Sequence, residues 1–252
     1  MNIYETDKLL GEYLLFHYGS AGEIGAPHPS PSEVLDYAVR CVTECVDVAA
    51  LPVGARGLDL GCAVGRSTFE LARVCGSVLG IDYSQRFIDA AELLRRTGAL
   101  PYARTDEGSL STPLMALRPA GVDGSRVSFE VGDAMALRSD LGAFDVVLMA
   151  NLIDRLREPQ LCLARLPSLV RAGGQLVITS PYTWLEEFTP RGNWIGGFEQ
   201  DGASITTLDG LGAELGSTFE LLGTKDLPFL IREHARKFQL SVAQASIWRR
   251  RG

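Results

Sequence analysis

The amino-acid sequence predicts an α/β chain built on a doubly wound, mostly parallel seven-stranded sheet. An antiparallel edge strand and an N-terminal helical cap complete it. Three observations carry this expectation. Strand-like apolar runs alternate with helix-length segments from Gly57 to Thr179. The run Gly57-Leu58-Asp59-Leu60-Gly61-Cys62-Ala63-Val64-Gly65 reads as a buried strand that breaks into a glycine turn and opens a helix. Successive strands also end on polar residues, Asp59, Asp82, Asp133 and Asn151, the pattern of a sheet that offers its C-terminal rim to a ligand.

Taken in order, residues 1–50 form the cap. Tyr13-Leu14-Leu15-Phe16-His17-Tyr18-Gly19 is an aromatic patch, followed by a loop rich in glycine and proline. Ser32 caps a helix running to about Ala50, with Val34, Leu35, Ala38, Val42 and Val46 on one face. Residues 51–180 are the core. The first strand and its glycine turn open helix Arg66–Val74, strand Ser77–Ile81 ends in Asp82, and Ser84 caps helix Gln85–Arg96. Residues 98–126 mix glycines and prolines with polar residues and read as a surface insertion. Strands follow at Val127–Val131, Phe144–Asn151 and Gln175–Thr179, the last after helix Glu158–Arg171 and Gly173-Gly174. Residues 181–252 supply loops beside the rim, helix Thr207–Leu215, and strands Phe219–Leu222 and Ser241–Arg249, which pair antiparallel at the edge. The whole, 1–252, reads as one domain.

Composition narrows the function classes. Hydrophobic residues make up 46% of the 252, enough for a large core. No apolar run reaches the length of a membrane span, and the first residues lack a signal-peptide pattern, so a cytoplasmic protein is expected. The net charge of −7, with no basic stripe, argues against a nucleic-acid partner. The five cysteines form no C-x-x-C, and the three histidines stand at no metal-ligand spacing, so no metal site is expected.

The glycine turn specifies the kind of cofactor. A dinucleotide fingerprint needs three glycines as G-x-G-x-x-G, whereas here only Gly61 and Gly65 frame the turn. Asp59, just before it, would repel a pyrophosphate but suits a cation. Asp82, about 20 residues on, suits ribose hydroxyls. S-adenosylmethionine, with a sulfonium, an ammonium and no phosphate, fits this set. The run resembles the first motif of class I S-adenosylmethionine-dependent methyltransferases, with Ala63 where those enzymes usually carry a glycine. In them an acid at the position of Asp133 hydrogen-bonds the adenine amino group. Methyl transfer from a sulfonium is an in-line displacement, so alignment and water exclusion carry most of the catalysis. A base is needed only when the attacking atom bears a proton.

Wall candidates lie in the segments that cover the rim: Tyr13, His17 and Tyr18; Asn151, Asp154 and Arg155; Tyr182 and Trp184; and Arg232 and Arg236 between the last two strands. Aromatic rings suit a planar or cationic acceptor, and either arginine suits a carboxylate. Each also has a plain structural reading. Trp184 reads equally as a core cap, Arg155 with Asp154 as a local ion pair, His17 as a satisfied histidine, and Arg236 with Lys237 as solvated charge.

Beyond the cofactor motif, the chain resembles the methyltransferase of ovothiol biosynthesis. The marks are the aromatic patch, Val39-Arg40-Cys41-Val42, Leu58 to Ser67, Asn151-Leu152-Ile153-Asp154-Arg155-Leu156, Ser180-Pro181-Tyr182-Thr183-Trp184-Leu185 and Ile231-Arg232-Glu233. The resemblance implies methylation of a ring nitrogen of 5-thiohistidine, with S-adenosylhomocysteine as by-product. It implies a stand-alone enzyme paired functionally with a sulfoxide synthase; the residues read without it leave open another small amine, phenol or carboxylate acceptor, or an inactive cofactor-binding subunit that assists such a synthase. It implies cofactor contacts from Tyr13, Arg40, Asp59, Gly61, Cys62, Ala63, Gly65, Asp82, Tyr83, Ser84, Gly132, Asp133, Ala134 and Asn151. It implies substrate contacts from Tyr18, Asp154, Arg155, Tyr182, Trp184, Arg232 and Arg236, with His17, Asn151 and Tyr182 orienting the ring.

Overall fold

A computed structural model describes residues 3–28 and 30–252; expectations touching Met1, Asn2 and Pro29 fall outside them. The chain opens with α1 (Asp7–Tyr18), capped by the Thr6 hydroxyl, and α2 (Ala21–Gly25), closed by a Ser20–Glu23 capping box. The helix expected from Ser32 to Ala50 is instead broken. A 3-10 turn at Ser32–Val34 gives way to α3 (Tyr37–Thr43), and a second turn follows at Val48–Ala50. Asp36 stands between the first two with φ 51°, and a left-handed residue cannot continue a right-handed helix. The apolar positions still face inward: Val34, Leu35, Ala38, Val42 and Val46 are all buried.

The core then alternates β1 (Arg56–Leu60), α4 (Arg66–Leu71), β2 (Ser77–Asp82) and α5 (Gln85–Thr97). A hairpin of β3 (Ala99–Glu107) and β4 (Leu110–Leu117) interrupts it before β5 (Val127–Val131). After β5 come β6 (Phe144–Ala150), α6 (Pro159–Leu169) and β7 (Val170–Ser180), then a small hairpin of β8 (Phe198–Gln200) and β9 (Ala203–Ile205). The chain closes with α7 (Thr207–Leu215), β10 (Phe219–His234) and β11 (Lys237–Arg250). The main sheet has seven strands in the order β10-β11-β7-β6-β1-β2-β5. All pairs are parallel except β10 with β11 and β11 with β7.

The chain builds outward from β1 through β2 to β5, then returns to β6 on the other side of β1. The reversal between β1 and β6 opens a crevice at their C-terminal ends, where doubly wound sheets bind ligands. Two apolar layers sandwich the sheet. On one face Cys41, Val42, Phe69, Phe87 and Leu94 pack against Val78, Val146, Leu148 and Val177. On the other, Cys162, Leu163, Leu166, Leu211, Leu215 and Trp248 pack against Leu58, Leu60, Val147 and Met149. Strand β6 is buried on both sides, which explains the apolar run from Val146 to Ala150.

Two differences from the sequence expectation shape the rim. The insertion at 98–126 is not a free excursion: its β3–β4 hairpin lies against α1. A Cβ on Gly11 would stand 2.8 Å from the Ala103 carbonyl oxygen, so only glycine permits this approach. The last two strands are also far longer than Phe219–Leu222 and Ser241–Arg249. Gln244 pairs with Ser180, the last residue of β7, so the paired segments Leu227–His234 and Lys237–Ala243 run on past the strand ends. They form a wall above the crevice.

Candidate active site

Three backbone devices shape the floor of the crevice. Gly61 (φ 79°) and Gly65 (φ 84°) take left-handed turns, and Ala63 between them does the same at φ 47°. Alanine in that region is strained, and the strain sits where class I enzymes usually carry glycine. The turn is pinned to β2, since the Gly61 and Cys62 N–H groups donate to the Ile81 carbonyl at 2.8 and 3.0 Å. Gly65 has no freedom to change, because a Cβ there would stand 2.6 Å from the Phe129 ring.

Asp82 faces this turn. Its Oδ2 accepts from Ala63 N–H at 2.8 Å and its Oδ1 from Ser84 N–H at 2.9 Å, and the carboxylate retains acceptor capacity for a diol. Burial pushes its carboxyl up, against the same N–H groups, which hold it charged. The Gly132 N–H donates to the Asp82 carbonyl at 2.9 Å, drawing the end of β5 alongside. Asp133 Oδ1 caps the Met135 N–H at 2.8 Å. Ala134 is buried beside it, Ser84 caps α5 through Phe87 N–H, and Tyr83 is exposed at the rim. Asp59 lies deeper. Burial raises its carboxyl to about 7, opposed by the Thr68 hydroxyl that donates to it at 2.7 Å. The Cys62 thiol is buried and raised well above the usual range, so this residue serves the turn through its backbone.

These groups fit S-adenosylmethionine. Asp82 offers acceptors to ribose hydroxyls, Asp133 retains lone pairs for an amino group, and Asp59 lies beneath the turn as a carboxyl that a nearby cation would ionise.

Helix α1 roofs the floor. Tyr13 packs on Phe87 at 4.7 Å and on Tyr4 at 6.3 Å; burial raises its phenol, with the neighbouring Tyr4 and Asp82 adding to the effect. The Tyr18 hydroxyl donates to the Val64 carbonyl at 2.8 Å and so holds the helix to the glycine turn. Arg66 lies over the Tyr18 ring at 5.8 Å. His17 lies between Tyr13 and Phe16, and burial, with the Arg66 charge, lowers its imidazole to about 3. It is a neutral ring at physiological pH, and its Nδ1 is buried without a hydrogen-bond partner.

At the ends of β6 and β7, Asn151 (φ 51°) and Tyr182 (φ 54°) are both left-handed. Asn151 N–H donates to the Thr179 carbonyl at 2.8 Å, and its Oδ1 accepts from the Tyr37 hydroxyl at 2.7 Å. The Tyr182 hydroxyl donates to Gln244 Oε1 at 3.1 Å, tying the β7 end to the overhanging β11. Asp154 is fully buried. Its Oδ2 accepts from Thr183 N–H at 2.9 Å and from Arg155 at 3.1 Å, and Arg155 also donates to the Thr183 carbonyl at 3.0 Å. This pair therefore knits the two rim loops together. Tyr4 reaches over it, its phenol raised by burial and lowered by the Arg155 charge.

Four expected contacts lie elsewhere. Trp184 is a core residue, donating to the Thr207 hydroxyl at 2.9 Å and stacked on Trp194. Arg232 is buried: it donates to the Ile24 and Ala26 carbonyls and pairs with Asp106 at 2.9 Å, so its guanidinium braces the cap rather than a substrate carboxylate. Arg40 donates to the Leu35 carbonyl at 2.9 Å and to the Pro228 carbonyl, joining α3 to β10 rather than facing the glycine turn. Arg236 is exposed at the tip of the β10–β11 hairpin. Conversely, sequence reasoning missed Tyr4, Phe16, Tyr37 and Phe229. Phe16 stacks on Tyr37 at 5.8 Å, and Phe229 lies 4.6 Å from Tyr37, so three rings close the space beside Asn151. The aromatic patch was the available signal for Phe16; nothing local marks Tyr37.

Comparison with known proteins agrees with this geometry. Residues 58–176 match the family model described as a methyltransferase domain. Norajmaline N-methyltransferase of Rauvolfia serpentina is 24% identical over 176 residues, 68% of this chain and 52% of that protein. The chain spans about half the length of the curated relatives it matches. A SAM-dependent methyltransferase structure from Methanosarcina mazei superposes with a TM-score of 0.53 at 17% identity, covering 81% of this chain and 95% of that one. The N-terminal domain of EvdMO1 with SAH bound gives a TM-score of 0.52 at 20% identity, covering 86% and 82%. Residues 58–176 thus resemble a methyltransferase domain, and the sheet order and the acid-flanked glycine turn at the β1–β6 crevice agree with that likeness.

Proposed function

We propose that the protein transfers the S-adenosylmethionine methyl group to a ring nitrogen of 5-thiohistidine. The observation that carries this reading is His17. It is the one imidazole at the site among the described residues, and burial holds its pKa to about 3, so it cannot take up a proton near neutral pH. Tyr13, Tyr18, Tyr37 and Tyr182 are all raised by burial and are equally poor bases. A site so built suits an acceptor whose attacking atom offers a lone pair and carries no proton that must be removed.

An imidazole nitrogen does, and a neighbouring thiolate balances the positive charge the ring gains as the N–C bond forms and the S–C bond of the sulfonium breaks. S-adenosylmethionine supplies the electrophilic methyl. Phe16 and Phe229, packed on Tyr37 and on each other, close the crevice on the acceptor side and exclude water. The name of the Rauvolfia relative, an N-methyltransferase, supports transfer to nitrogen. On this reading a sulfoxide synthase that makes the thiohistidine skeleton is the functional partner.

The test is turnover with S-adenosylmethionine against thiohistidine, histidine, a phenol and a carboxylic acid, with products identified by mass spectrometry. One methyl on the ring of thiohistidine is expected. Turnover of the phenol or the carboxylic acid in preference to it overturns the reading.

A further inference from the structure

Asn151 is held more firmly than its exposure requires. It is pinned to β7 through its own N–H, which donates to the Thr179 carbonyl at 2.8 Å. It is pinned to α3 through its side chain, where Oδ1 accepts from the Tyr37 hydroxyl at 2.7 Å. That hydroxyl in turn lies 2.6 Å from Thr179 Oγ1. The three groups form a directed chain. A phenol has one proton; since it goes to Asn151, the Thr179 hydroxyl must donate to Tyr37. Tyr37 is buried against Phe16 and Phe229, so its ring has no room to turn away.

With the oxygen side of the amide taken, the Asn151 NH2 group remains. No described residue accepts from it, and it is absent from the buried side-chain atoms that lack a partner. It is therefore accessible to solvent, on a residue that follows β6 at the end of the sheet where the crevice opens. An NH2 group can only donate.

We propose that Tyr37 is the positioning residue of this site: it fixes the Asn151 amide so that its NH2 donates to an anionic edge of the methyl acceptor. This rests on the function proposed above, in which that edge is the thiolate beside the reacting ring nitrogen. Asn151 then reads the acceptor and sets the angle of the ring, and Tyr37 never touches either reactant.

The test compares kcat/KM for 5-thiohistidine and for its S-methylated derivative, which keeps the ring nitrogens but has no thiolate. Parent, Tyr37→Phe, Thr179→Val and Asn151→Asp are assayed, with affinity for S-adenosylhomocysteine measured by titration. Tyr37→Phe is expected to lower kcat/KM for thiohistidine by about tenfold or more, chiefly through KM, as expected for one hydrogen bond to a charged group. It should change the S-methylated derivative and cofactor affinity by less than about threefold. Thr179→Val should move the same way to a smaller extent. Asn151→Asp keeps the acceptor for Tyr37 but turns an oxygen toward the thiolate, so its preference should reverse toward the S-methylated derivative. An unchanged ratio between the two acceptors in both Tyr37→Phe and Asn151→Asp overturns the proposal. A parent that methylates neither acceptor refutes the function above. The positioning claim is then judged on thiohistidine binding to the protein loaded with S-adenosylhomocysteine, where equal affinity of parent and Tyr37→Phe, or no binding at all, overturns it.

Discussion

Burial raises the Asp59 carboxyl and lowers the His17 imidazole, with opposite consequences for stability. The Asp59 carboxyl is raised from 3.8 to about 7, so the fold favours its protonated form. Its contribution is complete below pH 4 and is lost as the pH rises through 7. The His17 imidazole is lowered from 6.5 to about 3, so the fold favours the neutral ring and loses stability as the pH falls from 6.5 toward 3. Melting temperatures across pH 4–8 should separate the two. Asp59→Asn should gain on the parent as the pH rises, and His17→Leu should gain on it as the pH falls. Curves parallel to the parent's would contradict both assignments. Asp59 and Asp82 were legible in the sequence because strand ends and glycine turns announce themselves locally. Tyr37 was not, because a tyrosine in a helix of the core looks like any other until the fold brings it to Asn151, 114 residues away.

At the scale of elements, the cap is held by a strap the sequence did not reveal. Residues 98–126 carry turn signals but no long-range signal. The β3–β4 hairpin they form is locked by a polar cluster: Arg104 donates to Asp106 and to the Glu23 carbonyl, Ala235 N–H donates to the Asp106 carbonyl, and Arg232 joins Asp106 to the Ile24 and Ala26 carbonyls. Strand β10 was read short for a related reason. Pro228 and the charged run from Arg232 look like loop, yet proline is tolerated on an edge strand and the charges lie where the hairpin leaves the sheet. Arg232→Met removes the central brace and should cost about 2–3 kcal/mol, measured as the midpoint of denaturant unfolding. Amide exchange in α1 should accelerate more than in β1 or β6. A change under about 0.5 kcal/mol with α1 protection intact would show that the strap does not hold the cap.

The whole molecule follows from one topological event, the reversal of chain direction across the sheet between β1 and β6. It places the glycine turn, Asp82, Asn151 and the roof helix around one crevice, although they are spread over most of the sequence. Alternating strands and helices made that architecture legible from the start, and the acids at strand ends drew attention to the rim where the crevice opens. The acceptor side was less legible because its walls come from α1, α3 and the overhanging β10–β11 hairpin, whose meeting is set by tertiary packing alone. Among the described residues no helix is long and apolar enough to cross a membrane.

The central claim is that the crevice holds S-adenosylmethionine by its ribose at Asp82. Calorimetric titration with S-adenosylhomocysteine tests it most directly, on the parent and on Asp82→Asn and Asp82→Ala, each checked for fold by circular dichroism. One equivalent should bind the parent, and both variants should bind at least about a hundredfold more weakly, the loss expected for two hydrogen bonds to a charged carboxylate. A folded parent that takes up none of this ligand, or an Asp82→Ala variant that binds it as tightly as the parent, would contradict the account.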